Sequence, residues 1–239
     1  MKRYKILFAT LVALMYTSFG YSQDAFVADK NNFRITKGRF YSSLTFSLNS
    51  RNAENEDPLF RQVLDQDRYN YRVIGNGGYA LKDNMTLGLS AGYGRAREEI
   101  TYLDENGENV TSKSLEQGLS LAPNMRKYIS IGKGQLQILI QTELGATIGE
   151  SMQRVFLENE IDKIEGDFID IELGVSPGLV LFFDRHWAFE TTVDIAGFSI
   201  RIEEEVVNDD QDNRQRVVES AVDLRINLLQ LNLGVAYYF

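Results

Sequence analysis

Residues 136–149 alternate without a fault. Leu136, Ile138, Ile140, Thr142, Leu144, Ala146 and Ile148 share one face of an extended chain, and Gln137, Leu139, Gln141, Glu143, Gly145, Thr147 and Gly149 share the other. Successive side chains of a strand point to opposite sides, so period two predicts a strand with one oily and one polar or small face. Seven other stretches read the same way. Arg39–Asn49 sets Phe40, Leu44, Phe46 and Leu48 against Ser43, Thr45 and Ser47. Tyr69–Leu81 sets Tyr71, Val73, Gly75, Gly77 and Tyr79 against Arg72, Asn76 and Gly78. Met85–Arg95, Leu115–Ile131, Phe168–Phe183, Trp187–Ile200 and Val222–Phe239 complete the set, the last with a parity slip at Leu228–Leu229 that predicts a β-bulge.

These stretches exceed the five or six residues usual in soluble sheets and suit the roughly 9–11 that a tilted strand needs to cross a bilayer. Their connections alternate in length. Lys82–Asn84, Gly132–Gln135 and Asp184–His186 are short; Arg51–Arg68, Thr101–Ser114, Met152–Asp167 and Glu203–Val218 are long and polar. All long loops at one end and all short turns at the other predict an eight-stranded antiparallel up-and-down transmembrane β-barrel with both strand ends on the short-turn, periplasmic side. Tyr79, Phe183, Trp187, Tyr237 and Phe239 fall where a periplasmic aromatic girdle would lie, and Tyr71, Tyr93 and Tyr102 where an outer one would.

Composition adds direction to this picture. The chain has 239 residues, 19 Gly, 12 Tyr and 14 Phe but 3 Pro and no Cys, which suits antiparallel β-structure and excludes disulfides, thiolate metal sites and a catalytic cysteine. Lys2, Arg3 and Lys5, the uncharged run Ile6–Tyr16 and the small residues Ser18, Gly20 and Ser22 form a secretory signal peptide, residues 1–22, with cleavage after Ser22 and Gly20 as second choice. Residues 23–37 are then an N-terminal extension and 38–239 the barrel. Beyond residue 23 no apolar run is long enough for a transmembrane helix. Removing residues 1–22 takes away three basic residues and no acidic ones, leaving 22 basic and 34 acidic and a net charge of −12. That balance disfavours nucleic acid.

The inward faces carry charge: Arg72, Arg126, Glu143, Asp170, Glu172, Glu190 and Asp194. The lumen of an eight-stranded barrel is just wide enough to be filled by side chains, and a charge buried there needs a partner. We therefore expect an interior polar network of Arg72, Arg126, Glu143, Glu172, Glu190 and Asp194, with Arg126 paired to Glu143 on the adjacent strand and Glu190 or Asp194 joining them. A charged inward face also argues against a soluble lipid-binding barrel. The sole histidine, His186, falls in a short turn, where outer-leaflet acyl chemistry would not find it. No catalytic residue, metal site or cofactor is expected. The acidic runs Glu98–Glu99, Glu203–Glu205 and Asp209–Asp210 read as solvated loop surface.

The chain ends Asn232-Leu233-Gly234-Val235-Ala236-Tyr237-Tyr238-Phe239. Asn232, Gly234, Tyr237 and Phe239 resemble the C-terminal assembly signal of bacterial outer-membrane proteins. Three internal stretches are similar to the outer membrane protein beta-barrel domain family, small barrels of the OmpA/OmpX type: Gly78–Gly94, Leu121–Ile131 and Ser176–Glu190. The resemblance runs from about Gly38 to Phe239. It implies an eight-stranded barrel in a Gram-negative outer membrane, with membrane lipid, lipopolysaccharide and the barrel-assembly machinery as partners. The expected role is structural or surface-interacting, without catalysis and with a plugged interior. A small porin or channel is the alternative, and a lipid-modifying enzyme ranks below both.

Overall fold

The computed structural model describes residues 33–239 apart from 57–62, 104–106, 158–160, 209, 211–213 and 225–230. The segment expected to be a signal peptide, 1–22, and most of the expected extension 23–37 fall outside them, as does the expected bulge at Leu228–Leu229. Ten strands follow in order: β1 (Phe40–Glu56), β2 (Val63–Lys82), β3 (Met85–Leu103), β4 (Asn109–Ile131), β5 (Leu136–Phe156), β6 (Ile161–Phe182), β7 (Trp187–Thr192), β8 (Ala196–Val207), β9 (Arg214–Leu224) and β10 (Asn232–Tyr238). They make eight staves. Sequential neighbours pair antiparallel from β1 to β6, β6 pairs with β7 and then β8, and β1 closes the ring by pairing with β10, which pairs with β7. The result is an antiparallel up-and-down barrel, which removes the open edges of a flat sheet.

Two features depart from the sequence reading. First, the long polar connections are mostly strand. Ladders continue to Glu56↔Val63, Leu103↔Asn109 and Phe156↔Ile161. Hydrophobic alternation ends earlier because charged residues replace oily ones on the outer face; the backbone ladder continues without them, supported by cross-strand pairs such as Lys113–Glu99 at 2.8 Å. Second, Trp187–Ile200 is not one strand of one parity. Thr192 opposes Gly178 and Ala196 opposes Val175, so residues 193–195 bulge against 176–177. Inward parity passes from Ala188, Glu190 and Thr192 to Gly197, Ser199, Arg201 and Glu203. On the neighbouring stave Asn232 opposes Thr192 and Leu224 opposes Ala196.

Among the described residues the outer face carries an apolar band. Leu44, Phe46, Leu87, Leu121, Ile140, Leu144, Leu173, Leu179, Phe189 and Leu233 are all exposed there. Its upper limit is abrupt. Leu119, Ile148, Ile169 and Ile202 lie side by side in one row, and the next outward row is Gln117, Glu150, Asp167 and Glu204. At the short-turn end, aromatic rings flank the band: Phe40 against Tyr79 at 4.8 Å, Trp187 against Tyr237 at 4.8 Å and Tyr237 against Phe239 at 4.9 Å. Tyr69, Tyr71 and Tyr93 run together near its upper edge. The packed core sits inside the barrel at the short-turn end: Ile35, Tyr41, Ala80, Tyr128, Leu139, Val180, Phe182, Ala188, Ala236 and Tyr238.

Candidate functional site

The lumen is built in layers, and the inward positions of consecutive strands supply them. The segment 33–39 closes the base. Ile35 is fully buried, its carbonyl accepts from the Asn84 amide at 2.8 Å, and the Gln137 side-chain amide donates to the Phe33 carbonyl at 2.8 Å. Asn84 holds φ 58 in the tight β2–β3 turn, a left-handed conformation that asparagine tolerates better than most residues. Above the base, Tyr41, Tyr128 and Phe182 surround Tyr238, with ring separations of 5.8, 6.4 and 5.0 Å.

The next layer is ionic. Arg126 Nη1 donates to both carboxylate oxygens of Glu190, at 3.0 and 3.3 Å, and the two side chains are only 2% and 4% exposed. The guanidinium also lies 4.7 Å from the centroid of the Tyr41 ring, and the Tyr238 hydroxyl donates to Glu190 at 2.8 Å. A charge pair this deep holds only when hydrogen bonds and a π face replace the lost water. Beside it runs a ladder of small polar groups: the Tyr41 hydroxyl donates to Asn124, Asn124 to Ser90, Ser90 to Asn76 and Asn76 to Ser43.

The expected Arg126–Glu143 pair is not formed. In the β4–β5 ladder Arg126 stands opposite Gln141, and Glu143 stands opposite Asn124. Arg126 instead reaches across the lumen to β7, and Glu143 accepts from the Gln141 amide at 2.8 Å. Asp194, in the bulge after β7, accepts from the Ser176 hydroxyl at 2.7 Å and from Asn232 at 3.5 Å. Arg72, Glu143, Glu190 and Asp194 line one small cavity of about 30 Å³ above Arg126, and Glu172 lines the larger cavity that follows.

That larger cavity, about 200 Å³, shares Arg72, Ile74 and Glu143 with the lower one and also takes in Asp170, Glu172, Glu116, Phe168 and Arg201. Near its top Arg201 donates to Glu203 at 2.9 Å and Glu116 at 3.0 Å, and its guanidinium stacks 4.0 Å from the centroid of the Phe168 ring. Glu203 also accepts from the Ser151 hydroxyl. Sequence reasoning missed Arg201 and Glu203 because the bulge at 193–195 flips the parity. The renewed alternation of Gly197, Ser199, Arg201 and Glu203 with Phe198, Ile200 and Ile202 carried the signal. Glu116 lay on the polar parity of a recognised strand. Tyr238 looked like part of an aromatic terminus and is instead the centre of the aromatic layer.

The terminal residues fill three environments. Asn232 is buried beside Thr192 and Asp194. Gly234 sits where a Cβ would come within 2.8 Å of Thr45 Oγ1 and 3.0 Å of the Leu44 carbonyl, so the β1–β10 contact has little room for a side chain. Tyr237 and Phe239 belong to the outer girdle. The Phe239 amide donates to the Phe40 carbonyl at 2.9 Å, and the Arg39 guanidinium donates to the carbonyls of Phe239, Tyr238 and Arg185. His186, in the β6–β7 turn, stacks on Tyr237 at 5.6 Å. At the opposite rim, above the apolar band, the hydrogen bond from Lys113 holds the Glu99 carboxyl below its ordinary range. Among the described residues no group of three or more His, Cys, Asp or Glu is arranged to hold a metal ion.

No family model and no curated protein matches the chain. Solved structures of small outer-membrane β-barrels do. A major outer membrane protein from Thermus thermophilus is 13% identical with a TM-score of 0.41, covering 84% of this chain and 99% of that one. The outer membrane protein OprG from Pseudomonas aeruginosa is 14% identical with a TM-score of 0.37, covering 88% and 99%. Ail, the attachment invasion locus protein of Yersinia pestis, is 12% identical with a TM-score of 0.35, covering 85% and 100%. Each is a likeness of chain path.

Proposed function

We propose that this chain is an integral barrel of a Gram-negative outer membrane, non-enzymatic, with its lumen plugged at the periplasmic end and a structural or surface-interaction role. The apolar band carries the reading. In water, an exposed apolar surface that encircles the molecule would drive aggregation, since soluble proteins rarely expose contiguous patches beyond a few hundred Å². Along β6 the band runs outward from Leu181 to Ile169. At ~3.3 Å per residue and a tilt near 40°, that spans about 30 Å, the thickness of a bilayer's hydrocarbon core. The polar inner face supports the same reading, since it is the reverse of a soluble lipid carrier.

On this reading the partners are membrane lipid and lipopolysaccharide around the band, with the assembly machinery reading Asn232, Gly234, Tyr237 and Phe239. The hairpins that continue above the band are the surface available to other molecules. The Arg126–Glu190 pair, the aromatic layer and segment 33–39 are three successive obstructions, which favour a plug over a pore.

Cell fractionation, heat-modifiable gel migration and planar-bilayer recording test this together. The expected result is recovery in the outer-membrane fraction, a folded band that shifts on boiling, and no stable single-channel steps from pure protein. Extraction as a soluble barrel without detergent overturns the location. Reproducible unitary steps overturn the plug and leave the channel reading in its place.

A further inference from the structure

We propose that residues 33–39 are a latch that docks last on the closed barrel and opens without unfolding it. The segment precedes β1 and inserts one side chain into the base. Arg34, Thr36, Lys37 and Gly38 are exposed, while Ile35 among them is fully buried. Ile35 belongs to one apolar cluster with Tyr41 of β1, Ala80 of β2, Tyr128 of β4, Leu139 of β5, Phe182 of β6 and Tyr238 of β10. Its socket is therefore assembled from both ends of the chain and from the staves between them.

The backbone around Ile35 bridges all three short turns. At the β2–β3 turn the Lys37 amide donates to Asp83 Oδ1 at 2.8 Å, and the Asn84 amide donates to the Ile35 carbonyl at 2.8 Å. At the β4–β5 turn the Gln137 side-chain amide donates both to the Gly134 carbonyl at 3.0 Å and to the Phe33 carbonyl at 2.8 Å. At the β6–β7 turn the Arg39 guanidinium donates to the Arg185 carbonyl and, at 3.2 Å, to the Tyr238 carbonyl of the last stave. Gly38, at φ 93, turns the chain out of the latch into β1.

This arrangement sets an order of events. The partners of Lys37, Phe33 and Arg39 lie 46, 104 and 199 residues along the chain. The socket is complete only when Tyr238 stands beside Tyr41, their rings 5.8 Å apart, and that happens when β10 joins β1. A contact whose socket is a product of ring closure contributes nothing to the transition state that precedes it. Removing such a contact quickens unfolding and leaves folding unchanged. The ladder of β1 begins at Phe40, so residues 33–37 hold on through scattered hydrogen bonds and one buried side chain. Segments held in this way open at low free energy while the sheet stays intact. Opening uncovers the aromatic layer from below and leaves the Arg126–Glu190 pair in place between β4 and β7.

The test exploits the absence of cysteine from the chain. The full chain carrying Ile35→Cys is refolded into detergent micelles and exposed to a water-soluble maleimide. Its unfolding rate is followed in parallel through Trp187 fluorescence. Labelling should run at least about ten-fold faster than unfolding, because only the latch has to open. Adding Asp83→Ala, which removes the acceptor of the Lys37 amide, should speed labelling several-fold; Glu99→Gln, at the opposite rim, should leave it unchanged. In the otherwise unaltered chain, Ile35→Ala should raise the unfolding rate at least about ten-fold and keep the folding rate within about two-fold. Asp83→Ala alone, a milder change at an exposed turn, should show the same split with a smaller rise. Labelling no faster than unfolding, an equal response to Glu99→Gln and Asp83→Ala, or folding that slows as much as unfolding quickens overturns the proposal.

Discussion

Arg126 and Arg201 occupy the same lumen and have different environments. Arg126 is 2% exposed, pairs with Glu190, and has Tyr41 and Tyr238 around the pair. Arg201 is 21% exposed and divides itself between Glu116, 45% exposed, and Glu203, 14% exposed. The difference shows what burial does to one chemistry. At the base there is room for little water to replace a lost partner, so the ion pair fixes the packing around it. Near the top, solvent reaches Glu116, so the same guanidinium is a contact that can be exchanged.

The sharpest break of this comparison is to remove each arginine in turn. Arg126→Ala leaves Glu190 buried without its counter-charge and should cost about 3–5 kcal/mol. Arg201→Ala leaves Glu116 open to water and should cost only about 1–2 kcal/mol. Urea unfolding in lipid vesicles, followed through the single tryptophan, Trp187 in the short-turn girdle, reads both. Equal losses would remove the distinction. A smaller effect belongs to the seam that closes the barrel beneath both. Gly234→Ala must push against Thr45 and the Leu44 carbonyl and should cost about 1–3 kcal/mol. Gly75→Ala, whose Cβ would meet nothing nearer than 3.9 Å, should stay within about 0.5 kcal/mol by the same assay.

The smallest effect is expected at the exposed rim. Glu99 titrates below the ordinary carboxylate range because Lys113 binds its charged form. A carboxyl with a lowered folded value contributes its stability in full above the unfolded value and loses it as pH falls through the folded one. The pair is solvent-exposed, so Glu99→Gln should change stability at neutral pH by no more than about 0.5 kcal/mol. Stability measured from neutral to acid pH should show the difference between the two proteins shrinking on the acid side of the carboxylate range. A difference that grows there would mean that Glu99 has another role.

Much of this was legible in the chain itself. Every inward and outward assignment made for residues 39–49, 71–79, 85–94 and 136–149 matches the observed faces, because side-chain alternation is a local property of extended backbone. The polar hairpins above the band were not legible as strands, since alternation is visible only where one face is apolar. The bulge at 193–195 was missed for a related reason. Val193 and Ile195 continue the oily parity of Trp187 and Phe189, and only the pairing with Gly178 and Val175 shows the residue gained. That one residue moved Arg201 and Glu203 into the lumen.

The sequence alone determined the staves, the oily and polar faces other than those that follow the bulge at 193–195, and the end at which both strand ends lie. Which inward residues meet was decided by tertiary structure. Closure of the ring and the stagger between staves set the height of each side chain, so Arg126 passes its neighbour Glu143 and meets Glu190 on a strand 64 residues away. The larger lumen cavity has the same origin. Each glycine and alanine along it is ordinary in its own strand, and only their arrival together in a closed barrel leaves a space lined by both carboxylates and arginines.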